Sequence, residues 1–543
     1  MSSPAASTIS TDGINASSHL AGQPNSHPIG FWFFFWGEFA ERCSYYGMRA
    51  ILFLYMIDRL GVSEADATTY TALFLAACYF FPLVGGWIAD NYIGRYWTIV
   101  LFSIPYVFAQ FIVGIENRFV VFGALVLLAM GSGVIKPNIS TLMGMTYKQH
   151  RPGQDQLLSS AFSWFYMAIN IGALLSQTVM PELRNVYGYQ IAFLFPAVLM
   201  AVALVIFALG KKYYAVEVTD RRALSPEETS IDRKLKWETL SRIGAIFLLV
   251  MFFWAIFDQS ATTWIAFAKT YMNCTVFGRS ISPDQIQAFN PLFIILLVPV
   301  SVALFKVVTI KATTKMLIGF LLTAVSMVIM SFSGYLAGTA QKKMQITTPN
   351  ATIVVSEELA KSWGAQPDKL SDFTKKFGQL SLLGGVSLLE SDLVELAKDA
   401  DKLSAAGILE LGSLSALAGG SESSLAEAAV TSKMIDWVLP SERVTVWWQI
   451  LAYLILTVAE ILISVTGLEL AFVAAPPTMK SFVTACWLAV VFLANLLINV
   501  PIGRLYFSMS PDVYFAMLAA AMVVVSFAFI FVAKRFNASA QPA

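Results

Sequence analysis

The chain has 543 residues, 57% of them hydrophobic and only 13% charged, against about 25% charged in an ordinary soluble protein. Its formal net charge is +1 with no basic run, which excludes a nucleic-acid partner held by charge. These proportions describe an all-α polytopic protein whose partner is the lipid bilayer.

Residues 1–27 are rich in Ser, Ala, Asn and Pro and hold no Lys or Arg. A secretory leader needs a basic start and an apolar run, so this stretch reads as a disordered tail. Twelve stretches then reach the ~20 apolar residues a spanning helix needs. They lie at about 31–57, 67–89, 96–115, 119–146, 157–181, 189–210, 242–272, 286–308, 315–338, 444–472, 479–501 and 512–533. Residues 28–210 thus hold six helices. A charged linker at 211–241 separates them from helices seven to nine (242–338) and ten to twelve (443–535), with a short tail at 536–543. With the N-terminus cytoplasmic, fifteen Lys and Arg fall on the inner side and six on the outer side or at outer helix ends. That asymmetry predicts a cell membrane protein, in a plasma or bacterial inner membrane, with both termini cytoplasmic.

Residues 339–442 break the rhythm as a hydrophilic insertion between helices nine and ten, hence on the outer side. From Leu389 to Leu403 its leucines share one side of a helix and its acids the other, which predicts a small, mainly helical extramembrane domain.

The first helix is unusual for its charges. Glu38, Glu41, Arg42 and Arg49 lie inside it, and one charge at a bilayer centre costs between ~2.5 and ~17 kcal/mol. At about 100° per residue, all four share one side with Tyr45 and Tyr46. The other side carries Trp36, Ala40, Cys43, Gly47, Ile51 and Leu54. Buried charges of this kind face a protein interior or a watery cavity and mark a functional site. Lys136 in helix four, Asp258 in helix seven and Glu460 in helix ten, with Ser464 one turn on, are the other buried charges. Cys43, Cys78, Cys274 and Cys486 show neither metal nor disulfide spacing. His19, His27 and His150 have no evident partners. No nucleophile–base pair or metal set is visible, so the chain does not read as an enzyme, and no cofactor is expected.

Several motifs fall in order along both halves. The first helix reads E-F-A-E-R-C-S-Y-Y-G from Glu38 to Gly47. Gly85 to Asp90 is followed by Gly94 and Thr98. Phe165 to Gly172 reads F-Y-M-A-I-N-I-G. Phe253 to Gln259, Asn290 to Phe293, and Glu460 to Glu469 with Pro476 and Ser481 complete the set. Together they resemble the E-x-x-E-R and later motifs of the proton-coupled oligopeptide transporters, the POT/PTR branch of the major facilitator superfamily. The departures are Cys43 for a usual Phe, Ala173 for a usual Ser, and Ala72 where animal members carry a histidine in helix two. The last of these shifts proton handling to carboxylates.

The resemblance implies twelve helices in two six-helix bundles, a monomer importing di- and tripeptides by alternating access, and protons as the coupling ion. It implies that Glu38, Glu41, Arg42, Asp258 and Glu460 couple protons. Arg49 with Asp258, and Lys136 with Glu460, would pair as gates. A peptide's carboxylate needs a cation, for which Arg49 and Lys136 stand ready. Its amine needs an anion or amide oxygen, from Glu460, Asn170 and Asn290, with Ser464 beside them. Tyr45, Tyr46, Tyr79, Trp264 and Trp487 can wall pockets for varied side chains. Two rival readings remain at this point. One is the same fold moving nitrate or another small anion; the other is a receptor or adhesion protein acting through 339–442.

Overall fold

The computed structural model describes residues 26–217, 226–308, 310–338, 343–347, 352–356, 435–438, 443–467 and 480–539. Among them twelve helical spans follow one another. The first half comprises α1 (Ile29–Asp58), α2 (Glu64–Ile88), α3 (Gly94–Ile112), α4 (Arg118–His150), α5 (Asp155–Tyr187) and α6 (Tyr189–Leu209). In the second half α7 runs from Pro226 to Phe257 and continues through a 3-10 turn, Asp258–Ala261, into Thr263–Tyr271. Then come α8 (Phe289–Val307) and α9 (Ala312–Gly338). The tenth span, α10, is Trp447–Glu460 with a π turn at Ile461–Val465. The eleventh, α11, is Lys480–Leu493, a π turn at Ala494–Asn499, and Val500–Leu505; α12 is Pro511–Ser539.

Ten stretches among the described residues are long and apolar enough to cross a membrane. One of them, Glu64–Ile112, contains both α2 and α3, and α1 stands apart because of its charges. This is a multi-pass membrane protein. Residues 226–241, expected as linker, are helical and form the first part of α7.

Within the first half α1 packs on α5, α6 and α4, and α3 and α2 pack on α4; across the halves α2 meets α11 and α5 meets α8. Lipid offers apolar groups no reason to associate, so close approach of small residues does much of the packing. A Cβ at Gly47 would overlap the Met180 side chain of α5, and one at Gly172 would stand 2.9 Å from the Phe39 carbonyl oxygen and 3.2 Å from the Cys43 nitrogen. The compact Cys43 is fully buried at this seam, where a phenylalanine would need more room. The turn into α3 uses Gly94 at φ +74°. There the Glu217 carboxylate accepts from the Arg95 and Tyr96 backbone N–H groups at 2.8 and 3.0 Å, capping the helix. His27, unpartnered in the sequence reading, meets the Tyr147 hydroxyl at 2.5 Å and stacks on Phe31.

A second compact unit comprises Lys269–Asn273 and Phe332–Thr445. In it β1 (Met272–Asn273) pairs in parallel with β7 (Val444–Thr445). Strands β4 (Lys343–Thr347), β5 (Thr352–Ser356) and β6 (Ile435–Val438) form an antiparallel sheet in the order β5-β4-β6. The described part of the insertion is therefore strand where helix was expected. Met344 stands opposite Val355 and Trp437, and Ile346 opposite Ile353 and Ile435, so a two-residue period in short segments decided the structure. The Leu389–Leu403 stretch lies outside the described residues. Back in the first unit, β2 (Thr275–Val276) and β3 (Arg279–Ser280) form a hairpin after α7.

Candidate functional site

The polar stripe of α1 is buried, as its cost in lipid requires. Arg42 lies between both acids of the E-x-x-E-R motif: its Nε is 3.2 Å from Glu38 Oε1 and its Nη2 pairs with Glu41 Oε2. The Ser132 hydroxyl, on α4, donates to Glu41 Oε1 at 2.6 Å. One turn further, Gln110 donates to Ser44 at 2.6 Å, and Ser44 meets the Tyr106 hydroxyl at 2.9 Å. Glu38, Glu41 and Arg42 are at most 2% exposed. One arginine thus answers two acids.

Two turns along α1, Arg49 Nη2 meets Asp258 Oδ1 at 2.8 Å, with side chains 9% and 6% exposed. This is the helix one–helix seven pair that the resemblance implies. Asp258 opens the 3-10 turn of α7, where the helix tightens and presents a carboxylate across the bundle. A ladder of buried amides holds it. Asn495 donates to Asp258 Oδ2 at 2.8 Å, Asn499 to Asn495 at 2.7 Å, Gln259 to Asn499 at 2.5 Å, and the Tyr514 hydroxyl to Gln259 at 2.9 Å. The π turn of α11 carries both asparagines four residues apart. Sequence reading missed them because an amide inside an apolar helix is a weaker signal than a charge.

Between the halves lies a cavity of about 570 Å³, within the range of small-molecule sites. The first half gives it three cations, Arg42, Arg49 and Lys136, while the second gives two carboxylates, Asp258 and Glu460. Glu460 Oε2 accepts from Asn290 Nδ2 at 2.8 Å, and the same amide reaches Thr457 Oγ1 at 3.0 Å. Ser464 donates to the Glu460 carbonyl at 2.7 Å. Arg49 and Asp258 meet directly and Arg42 is held by Glu38 and Glu41, so among the described lining residues Lys136 of the first half and Glu460 of the second are the opposite charges outside an ion pair.

Of the residues expected at the site, Arg42, Tyr46, Arg49, Tyr79, Lys136, Asn170, Asp258, Asn290, Glu460, Ser464 and Trp487 line this cavity. Four do not. Glu38 and Glu41 lie behind it, turned to Arg42. Tyr45 lies behind Tyr46, edge-on at 5.1 Å, with the Arg42 guanidinium over its ring at 5.3 Å. Trp264 is fully buried edge-on to Tyr453 at 4.7 Å, because the 3-10 turn shifts the register of α7 before it. The expected Lys136–Glu460 pair is also absent: no ion pair joins them among the described residues. Lys136 sits over the Tyr79 ring at 4.9 Å, and Glu460 is held by Asn290. Lining residues that the sequence did not reveal are Tyr166, Gln177, Trp254, Gln287 and Tyr453. All are aromatic or amide side chains in a chain 13% aromatic.

The polar ties between the halves gather at one end. There Arg184 of α5 pairs with the fully buried Asp284 and donates to Ser282 at 2.6 Å. Gln285 donates to the Thr178 carbonyl at 3.0 Å, Gln287 to the Ala50 carbonyl at 3.4 Å, and Arg504 of α11 meets Asp66 at 3.0 Å. The cavity is sealed on the side of the α1–α2 connection.

The sequence matches the family profile PTR2, the POT family, at residues 96–231, 227–365 and 409–504. It is 28% identical to "Peptide transporter family 1" of Drosophila melanogaster, over 95% of this chain and 88% of the relative. It is 31% identical to human "Solute carrier family 15 member 1", over 60% of this chain and 53% of the relative. Among solved structures it resembles a mutant peptide transporter POT in complex with alafosfalin, with a TM-score of 0.67 and 21% identity, covering 97% of this chain and 99% of the other. That likeness carries the major facilitator fold. The chain belongs to the POT family.

Proposed function

We propose that this protein is a proton-coupled symporter that imports di- and tripeptides by alternating access. The observation that carries the reading is that one half gives the cavity its cations and the other its carboxylates. Arg49 and Lys136 suit a peptide carboxylate, Glu460 with Asn290 suits the amine, and Tyr46, Tyr79, Tyr166, Trp254 and Trp487 offer contact area that tolerates varied side chains. A glutamate in the cavity disfavours a bare anion such as nitrate. The two relatives named peptide transporters, in fly and worm, support the same cargo.

The distribution of Lys and Arg makes the sealed end the outer one, so the structure is read as the inward-facing state. The Arg49–Asp258 pair belongs to this state. A proton on Asp258 removes the carboxylate charge that holds Arg49 and so favours opening outward, while Glu460, free of Lys136 here, pairs with it when the inner end shuts. Glu38 and Glu41 compete for Arg42, and a proton on either leaves the arginine satisfied by the other. One pH unit is worth ~1.4 kcal/mol and 100 mV ~2.3 kcal/mol per proton, together accumulation on the order of hundreds-fold.

The test is uptake into proteoliposomes under an inward acid gradient with dialanine, alanine or nitrate as cargo. Dialanine alone should accumulate. Equal accumulation of nitrate, or dialanine accumulation that ignores the gradient, overturns the reading.

A further inference from the structure

A second cavity, of about 390 Å³, lies on the other side of the α5–α8 seam. Successive residues divide the two spaces: Ala173 and Gln177 face the central cavity, Leu174 and Thr178 the lateral one. The lateral walls are apolar, with Leu174, Val179 and Leu183 from α5 and Phe289 and Leu292 from α8. It runs from Glu182 to Leu174, about 12 Å along the helix.

Its roof is the β2–β3 hairpin. The turn residues Phe277 and Gly278 have φ +48° and +79°, the pair of left-handed conformations that a two-residue hairpin loop needs. A phenylalanine rarely adopts that conformation. Its ring is 89% exposed and stands edge-on to Trp447, 42% exposed, at 5.1 Å. Exposed Trp and aromatic pairs of this kind sit at the headgroup level of a bilayer. At the same rim Arg279 Nη2 stands 3.8 Å from Glu182 Oε1, with side chains 78% and 51% exposed. An apolar slot in the hydrocarbon region, headed by one cation and one anion at headgroup level, fits a zwitterionic amphiphile.

We propose that this pocket binds a bilayer phospholipid of the phosphatidylethanolamine class. Its acyl chain lies between α5 and α8, its phosphate faces Arg279, and its ammonium faces Glu182. Phosphate and guanidinium make strong paired hydrogen bonds. A primary ammonium can donate to a carboxylate where a trimethylated one cannot, so the headgroup pairing selects against phosphatidylcholine. The walls come from both halves, so the site is complete only while α5 and α8 are together at the sealed end.

The test uses the full-length protein in vesicles carrying a trace of phosphatidylethanolamine or phosphatidylcholine with a photoactivatable group on the acyl chain. Adducts are mapped by mass spectrometry. Phosphatidylethanolamine adducts should concentrate on residues 174–183 and 288–292 over the equally lipid-facing Val198 and Val202 of α6, and phosphatidylcholine should label the pocket less. Val179→Trp, which fills the slot, should lower the α8 adducts about tenfold. Arg279→Glu, an exposed change that leaves the packing intact, should abolish the preference between the two lipids. Uniform labelling of all lipid-facing helices, or pocket labelling unchanged by Val179→Trp, overturns the site. Equal labelling by both lipids overturns the headgroup assignment. The labelling reads binding alone, so its failure leaves the transport reading untouched.

Discussion

Asp258→Asn isolates the ion pair proposed to hold the outer end shut. In the structure Arg49 and Asp258 meet at 2.8 Å with under a tenth of either side chain exposed. Removing one partner of a buried pair costs about 3–5 kcal/mol, because the remaining charge stays buried without its counter-ion. Asparagine can still accept a hydrogen bond from Arg49, so the lower end, about 3 kcal/mol, applies. An opened outer end wets Arg49, so the cost falls on the sealed state alone. The ratio of sealed to open molecules should then drop on the order of a hundredfold. Spin labels at Val186 on α5 and Val513 on α12, both exposed and on opposite halves, report it in a background lacking Cys274 and Cys486. Pulsed EPR should show a longer distance population in Asp258→Asn that is minor in the parent. Arg49→Gln combined with Asp258→Asn leaves no unpaired charge and should restore much of the short distance. An unchanged distance distribution in Asp258→Asn would refute the reasoning, since the pair would then contribute nothing to closure.

Glu460→Gln removes the negative end of the cavity, and a hydrogen bond to a charged group is worth about 1.5–3 kcal/mol. KM for dialanine should rise roughly 10- to 100-fold, while an N-acetylated dipeptide, lacking the ammonium, should change little. Ser132→Ala takes the 2.6 Å donor from Glu41 Oε1 and leaves only the other carboxylate oxygen, Oε2, paired with Arg42. Uptake of dialanine driven by an inward acid gradient should fall, and unchanged uptake counts against Glu41 in coupling. Gly172→Ala forces a methyl to 2.9 Å from the Phe39 carbonyl, an overpacking cost of about 1–3 kcal/mol. It should lower the unfolding temperature in detergent, whereas Gly86→Ala, with nothing within 4 Å of its Cβ, should not.

The part of this site legible in the sequence is the part that lipid makes expensive. Arg42, Arg49, Lys136, Asp258 and Glu460 stood out because each is a charge within an apolar span, and all five line the cavity. Tyr166, Trp254 and Tyr453 did not, because an aromatic residue is at home in any membrane helix. Tyr45 and Trp264 were misplaced for different reasons. Tyr45 shares the α1 stripe but is covered by its neighbour, and Trp264 follows a 3-10 turn that ideal helical spacing does not foresee. The Lys136–Glu460 pair was misplaced because the sequence marks which residues carry charge and not which of them meet: Lys136 sits over the Tyr79 ring and Glu460 accepts from Asn290. The insertion misled because its strongest helical period lies at Leu389–Leu403, while its described residues are short strands at either end.

Proton-coupled symport requires that protons and peptide cross together. The most direct measurement is the lumenal pH of proteoliposomes that start with equal pH on both sides, followed as dialanine is added outside under a negative-inside potential. Lumenal acidification should track dialanine entry and disappear when Glu38, Glu41, Asp258 and Glu460 are all replaced by glutamine. Dialanine entering at full rate with no change in lumenal pH would contradict it.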